Sequence, residues 1–417
     1  SARLVPWAGA VVAVATIVVG LALDATGHPL GVPQPPFIGA YGPRADPWLL
    51  AAIPAFAAAV AVAPRLLRAP PVLFGAALGL MTLVLRLLLA AARQGPEAWD
   101  RAFVVLPSGE GKNEYLPALA AFDYGPHFVV DRFAQLVPAL PVHAAGHPPG
   151  LLLTMHYLHL DTAPRLAAFC IAAGALSAPL TYVLAKRILT EPQARIAGLL
   201  ATLSPALLHF GATSADAVYL TLGLLAAIPL LGNHKLLGAI VLAASSLFAW
   251  SLLAVGAYAA ILVLARDGVR PAIGLATIVG ATLIAFHAAF ALATGFDPLG
   301  TLHATSRVYE LGIASRRPYA YWLFGSPVAF LLVVGLPIAW LAAERLATKA
   351  PEAIAITAVL AISALAGFTK AETERIWLFF APYVIIAAAP RVKRPQLIAA
   401  ALAVQAVAYE LVFDTLW

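Results

Sequence analysis

Apolar runs about 20 residues long, parted by short polar joints, recur along almost the whole chain. A helix rises 1.5 Å per residue, so each run matches the ~30 Å hydrocarbon core of a bilayer. The pattern predicts spans near residues 5–23, 47–64, 71–92, 164–185, 196–211, 217–231, 236–248, 251–265, 271–293, 321–343, 352–367, 376–389 and 396–413. The first run has no clear small-residue cleavage site and leads into further spans, so it reads as a transmembrane helix, not a signal peptide. Leu151–Leu160 is too short to cross alone, at about 15 Å, and predicts a half-helix. The short pair 236–248 and 251–265 predicts two tilted helices meeting near Trp250–Ser251. The expected fold is all-α: one membrane-embedded domain over 1–417, a polytopic transmembrane bundle of about 11–13 spans.

One long interruption stands out, the loop 93–150. Its stretch Gly109–Gly150 holds Glu110, Lys112, Glu114, Asp123, His127, Asp131, Arg132, His143 and His147. Ionisable groups gathered between apolar helices mark chemistry or binding. Tyr115–Leu119 and Phe128–Leu136 have helical spacing, with Phe128, Val129, Phe133 and Leu136 on one apolar face. Such short helices would lie along the membrane surface, where a partly lipid substrate presents its headgroup.

Composition agrees with the pattern. Of 417 residues, 62% are hydrophobic and 11% charged, with a mean hydropathy of +0.89. Soluble domains carry about 25% charged residues. The single cysteine, Cys170, excludes an intrachain disulfide and a multi-cysteine metal site, and is expected to be core filler. The net charge of +6 reflects basic residues left on one side of a membrane, not nucleic-acid binding. Arg65 and Arg68, Lys186, Arg187 and Arg195, Lys235, Arg266 and Arg270, Arg345 and Lys349, and Arg391, Lys393 and Arg394 all fall on one side, which the positive-inside rule makes cytoplasmic. Of 20 acids, only Glu191, Asp267, Glu344 and Glu352 share it. The loop 93–150, the joint 211–216, the loop 294–320 and the joint 367–375 fall opposite, as expected of one extracytoplasmic site built from several loops.

Pro148–Pro149–Gly150 stops one regular element and starts the next, which puts His147 at a helix mouth. His143 and His147 are open to three roles: metal ligation, hydrogen bonding to substrate or a carboxylate, or plain structural packing. Asp216, after Thr213–Ser214–Ala215, is either part of a helix N-cap or a ligand for substrate hydroxyls or a cation. In 294–320, Arg307 and the adjacent Arg316 and Arg317 contradict the positive-inside trend; a lipid-borne phosphate would explain them, a solvated basic loop is the bland alternative. Lys370 and Arg375 can clamp the same phosphate, with Glu372 and Glu374 as counter-charges or hydroxyl ligands, or simply anchor the interface.

Taken in order, KNEYLPAL (112–119), GHPPG (146–150), TSAD (213–216) and KAETERIWLFFAP (370–382) resemble the motifs of the GT-C superfamily of membrane glycosyltransferases, nearest the protein O-mannosyltransferase and aminoarabinose transferase branch. The likeness runs from about residue 72 onward. Two departures are visible: the family's acidic pair appears as Asn113–Glu114, and two extra spans occupy 1–70. The resemblance implies inverting transfer of a sugar from a polyprenyl-phosphate donor to a glycan or glycolipid acceptor of the cell envelope. It implies a carboxylate base, here Glu114 with Asp123 and Asp131 as rivals. Asn113, Tyr115, His143, His147, Asp216, Arg307, Arg316, Arg317, Lys370, Glu374 and Arg375 would bind substrate. No cofactor is named by the sequence, and a divalent cation, Mg or Mn, is left open. Ala-, Leu-, Pro- and Arg-rich composition points to a GC-rich, actinobacterial source and a bacterial plasma membrane.

Two other classes share these features. A transporter or lipid flippase would place ionisable residues at mid-membrane on broken helices, and Arg86, His209 and His287 are expected near helix ends instead. A metal-dependent lipid-phosphate hydrolase or transferase would use His143, His147 and nearby carboxylates.

Overall fold

The computed structural model describes residues 4–211 and 214–416. Among them the only strands are the two-residue pieces β1 (Ala40–Tyr41) and β2 (Phe413–Asp414), paired antiparallel; the rest of the regular structure is helical. Seven helices are long and apolar enough to cross a membrane: Leu4–Ala25, Leu49–Leu66, Pro71–Gln94, Ala163–Ala185, Trp250–Asp267, Val269–Thr294 and Pro395–Val412. Only 6% of the apolar window in Val269–Thr294 is buried, so that helix presents its surface to lipid. The chain is a multi-pass membrane protein.

The expected runs, about 11–13 in number, differ in length and continuity. Tyr319–Val334 and Leu336–Ala347 form a bent pair with an angle of 113°, an eighth candidate among the described residues if the pair crosses as one span. Four more expected spans appear as shorter apolar helices: Asp216–Leu230, Lys235–Ser245, Pro351–Ala366 and Leu378–Arg391. The run 196–211 is split into Glu191–Leu203 and Pro205–His209, because Pro205 cannot continue a helix through its missing N–H. The bent pair breaks at Gly335, whose φ of 138° lies outside the range of L side chains.

These two breaks face each other, and polar side chains close them. Ser204 Oγ donates to the Val334 carbonyl at 2.7 Å. Gln405, from the last helix, accepts the Leu336 N–H at 2.8 Å and donates to the Leu332 carbonyl at 2.7 Å. Freed backbone groups without water must find partners inside the protein, and here they do.

Charge sorts the two ends of the bundle. At one end Arg195 Nη1 donates to the Ala69 carbonyl at 2.6 Å and its Nε pairs with Glu191 at 2.8 Å; Arg345 pairs with Glu352 at 2.6 Å. The basic joints thus meet one another and most of the few acids assigned to their side. The long loop lies at the other end, in short pieces: 3-10 helix over Leu116–Tyr124, then α-turns at Pro126–Asp131 and Phe133–Leu136. The expected apolar face is shifted. Val129, Val130 and Phe133 are buried, while Phe128 points outward, because the helix breaks at Arg132 and the second piece is rotated. Cys170 is buried in a span, as core filler should be.

Arg86 and His209 are both buried, and His209 is the last residue of its short helix. Arg86 is fully buried, about two turns before the end of Pro71–Gln94, and donates through Nη2 to the Leu207 carbonyl. Gly174 and Gly211 make room for it; a Cβ on Gly174 would lie 1.9 Å from Arg86 Nη1. His209 ties the short helix Pro205–His209 to the last helix, with Nδ1 2.8 Å from Glu410 and Nε2 3.1 Å from the Ala406 carbonyl. His287 hydrogen-bonds Ser246 Oγ at 2.8 Å.

Candidate functional site

Four sequence-distant segments bring ionisable side chains together at the loop end of the bundle. Their centre is Arg375, in the turn Thr373–Ile376. Its Nη1 donates to Asp216 Oδ2 at 2.7 Å and its Nη2 to Glu372 Oε2 at 3.0 Å. Glu372 also accepts from Arg317 Nη2, so one carboxylate bridges two guanidiniums. Arg317 Nη1 donates to the Lys370 carbonyl at 2.7 Å. Burial pushes the Glu372 carboxyl up, but Arg375 and Arg317 overcome that and hold it down at about 2. For Arg375, burial works against the charge, yet Asp216, Glu372 and Glu114 keep it protonated far above neutrality.

The backbone that aims Glu372 is strained. Ala371 and Glu372 take φ of 65° and 57°, the left-handed region that non-glycine residues rarely occupy. The turn is pinned from below: Thr373 Oγ1 donates to the Ser326 carbonyl at 2.7 Å, and the Lys370 N–H donates to Tyr309 Oη at 2.7 Å. Strained backbone of this kind persists only where its surroundings over-determine it, and it clusters at working sites.

The long loop supplies the second half. Glu114 is 2% exposed. His143 Nε2 lies 3.8 Å from Glu114 Oε1 and 3.0 Å from Glu110 Oε1, which also accepts from Asn113 at 3.3 Å. The His143 N–H donates to the Asn113 carbonyl at 2.9 Å, fixing the short helix Val142–Ala145 against the 110–115 turn. Burial opposes charge on His143, but Glu114 and Glu110 raise its pKa overall. His147 behaves oppositely: burial lowers it to about 4, so it stands neutral beside the Tyr115 and Tyr219 rings. Tyr115 and Tyr219 hydroxyls share a hydrogen bond of 2.8 Å. Burial raises the Tyr115 phenol far above its ordinary range, so it stays protonated.

The segment between the first two helices forms a wall. The Ile38 N–H donates to Glu374 Oε1 at 2.9 Å, Trp322 Nε1 donates to the Leu30 carbonyl at 3.1 Å, and Gly31 packs on the Arg317 side chain. Glu374 is fully buried and its other oxygen has no partner among the described residues; burial pushes this carboxyl up to about 7. The two N-terminal spans, extra to the motif pattern, therefore contribute to the site.

Of the expected site residues, Asn113, Glu114, Tyr115, His143, His147, Asp216, Arg317, Glu374 and Arg375 lie in or against this cluster. Lys370 is at its edge, half-buried, with Nζ donating to the Ala314 carbonyl at 2.9 Å. Asp123 and Asp131 lie apart from it: Asp123 is exposed, and Asp131, its side chain 40% exposed, pairs with Arg132 and packs on Gly295. Each sits on the outward face of a short surface helix, which turns it away from Glu114. Arg307 and Arg316 are likewise exposed on the outer side of their loop. Thr213 lies outside the described residues. Ala215 is the N-cap residue, but Ser214 Oγ accepts the free N–H of Asp216, the first helical residue, at 3.1 Å and donates to the Asp216 carboxylate, which also binds Arg375. The helix carrying His143 ends before His147, and among the described residues no group of three His, Cys, Asp or Glu is placed to hold a metal ion.

Sequence reasoning missed the weight of Glu372, Glu110 and Tyr219. Glu372 differs from Glu374 only by its place in the turn, and nothing in the pattern signals which acid meets the arginines. Glu110 was within reach, three residues before Asn113 in a stretch already marked as polar. The chain matches no protein-family model, no curated protein and no solved structure.

Proposed function

We propose that this chain is an inverting membrane glycosyltransferase of GT-C type. It would move a sugar from a polyprenyl-phosphate donor to an envelope glycan or glycolipid, on the extracytoplasmic side of a bacterial plasma membrane. The observation that carries the reading is the convergence of Glu114, Asp216, Glu372, Arg317 and Arg375 into one buried cluster at the loop end of a lipid-embedded bundle. A soluble substrate would need no such placement; one with a membrane-bound tail and a polar headgroup does.

In this reading Glu114 is the base. The acceptor oxygen attacks the anomeric carbon, the bond from that carbon to the phosphate oxygen breaks, and polyprenyl phosphate leaves with the electron pair. The hydroxyl proton passes to Glu114 as the hydroxyl becomes acidic in the transition state. Arg375 and Arg317 already hold carboxylates, so they position Asp216 and Glu372 for sugar hydroxyls. The phosphate falls to cations that no carboxylate holds among the described residues: Lys370, bonded only to a carbonyl, with Arg316 and Arg307 on the same rim. Because Glu114 is 2% exposed, the covering segments must part to admit the acceptor.

Glu114→Gln should abolish transfer from a panel of labelled polyprenyl-phosphate hexoses and pentoses, with folding and donor binding retained. Near-normal turnover in that variant would remove Glu114 as base. A second reading, a transporter or lipid flippase, draws on the facing breaks at Ser204–Pro205 and Gly335 and on the buried His209–Glu410 pair. Uptake or lipid flip in proteoliposomes, without sugar transfer, would favour it.

A further inference from the structure

While the segments over it are closed, a proton left on Glu114 has no direct way out, because its side chain is 2% exposed. Its neighbours differ in what they can accept. Asp216 is held by Arg375 and Ser214. Glu372 is held by two arginines and resists protonation down to about 2. His143 is different: one ring nitrogen, Nε2, faces both Glu114 at 3.8 Å and Glu110 at 3.0 Å. Glu110 has a side chain 19% exposed, on the turn Glu110–Lys112 at the surface of the long loop. Buried acid and solvent-reaching acid therefore share one imidazole nitrogen.

Resting on the glycosyl-transfer reading, we infer that Glu110 and His143 are the proton exit of Glu114, carrying each abstracted proton from the buried carboxyl to the outer solution. Glu114 and Glu110 raise His143 and so favour its imidazolium form, which starts the cycle. Abstraction protonates Glu114. The Nε2 proton then moves to Glu110 Oε1, Nε2 takes the proton from Glu114 Oε1, and Glu110 releases its proton to water. Each cycle returns the three groups to their starting state, with one proton delivered outside. The charged groups that act on His143 are Glu110 and Glu114 from the long loop and Glu372 and Arg375 from the 367–375 joint, with neutral His147 beside them. Both residues act through Glu114 and are positioning residues, not catalytic ones.

Glu110→Gln keeps the shape and removes the acceptor. Its kcat for sugar transfer should fall about 100-fold, the low end of what a positioned proton-transfer group contributes. The donor KM should be unchanged, and acetate or imidazole buffer should restore turnover. A kcat within twofold of wild type at every pH, or a loss that raises KM and ignores buffer, would overturn the exit. Histidine-labelled protein in nanodiscs, read by 15N NMR, gives an arm independent of turnover. His143 should titrate above an ordinary histidine, and Glu110→Gln should lower that midpoint. An unmoved midpoint overturns the linkage even if transfer is seen. A wild type that transfers no sugar, while His143 still tracks Glu110, would sink the transferase reading and leave the proton linkage standing.

Discussion

Glu372 shows how much one backbone turn decides. Two consecutive left-handed residues, Ala371 and Glu372, each cost about 1–2 kcal/mol relative to the right-handed form. The strain is offset by a carboxylate that binds both Arg317 and Arg375. Its neighbour Glu374 points the other way, into a dry wall against Ile38. With burial raising Glu374 to about 7, against ~4.3 for a free glutamate, the folded state holds a proton that the unfolded chain gives up. That stabilisation is complete below the unfolded value and is lost as pH rises through about 7. Glu374→Gln should therefore flatten the fall in thermal stability between about pH 4.5 and 7, measured by unfolding in detergent. A slope that persists in the variant would place the titration elsewhere. Glu372 does not interfere, since its own effect appears only as pH falls from about 4.3 towards 2.

At the scale of elements, apolar runs predicted where helices lie but not where they bend. Pro205 lies inside the expected run 196–211, and Gly335 is one glycine among 30. What makes the bend tolerable is Gln405, a polar residue in the apolar middle of the last helix, whose amide replaces the missing helical bonds at Leu336 and Leu332. Gln405→Leu should destabilise the protein by about 2–4 kcal/mol, from two backbone groups left without partners. Thermal unfolding of the purified variant checks this, and an unaltered midpoint would mean that the bend is held by other contacts. Arg86 belongs to the same class. Its guanidinium takes the place of a helix cap at the Leu207 carbonyl, in space left by Gly174 and Gly211.

For the whole molecule, basic joints gather at one end and acidic loops at the other. If the loop end faces outward, Ser108→Cys should react with an impermeant maleimide added to intact cells, and Lys393→Cys only after the membrane is opened. Both positions are exposed, and the native Cys170 is fully buried and silent. The reverse labelling would turn the site to the cytoplasm and end the extracytoplasmic assignment.

The amino-acid sequence by itself determined the solvent of this protein. Long apolar runs must be helices in a bilayer, because nothing else satisfies their backbone there. It also determined which joints share a side, since charge alternates with each crossing, and it marked Glu114, Asp216 and Arg375 as candidates. Only the tertiary structure decided which charges meet. Asp123 and Asp131 lie closer in sequence to Glu114 than His143 does, yet short surface helices turn them outward. Pairing between residues 216 and 375, or between 38 and 374, depends on how helices pack across the bundle, and a one-dimensional pattern of polarity carries no information about that contact.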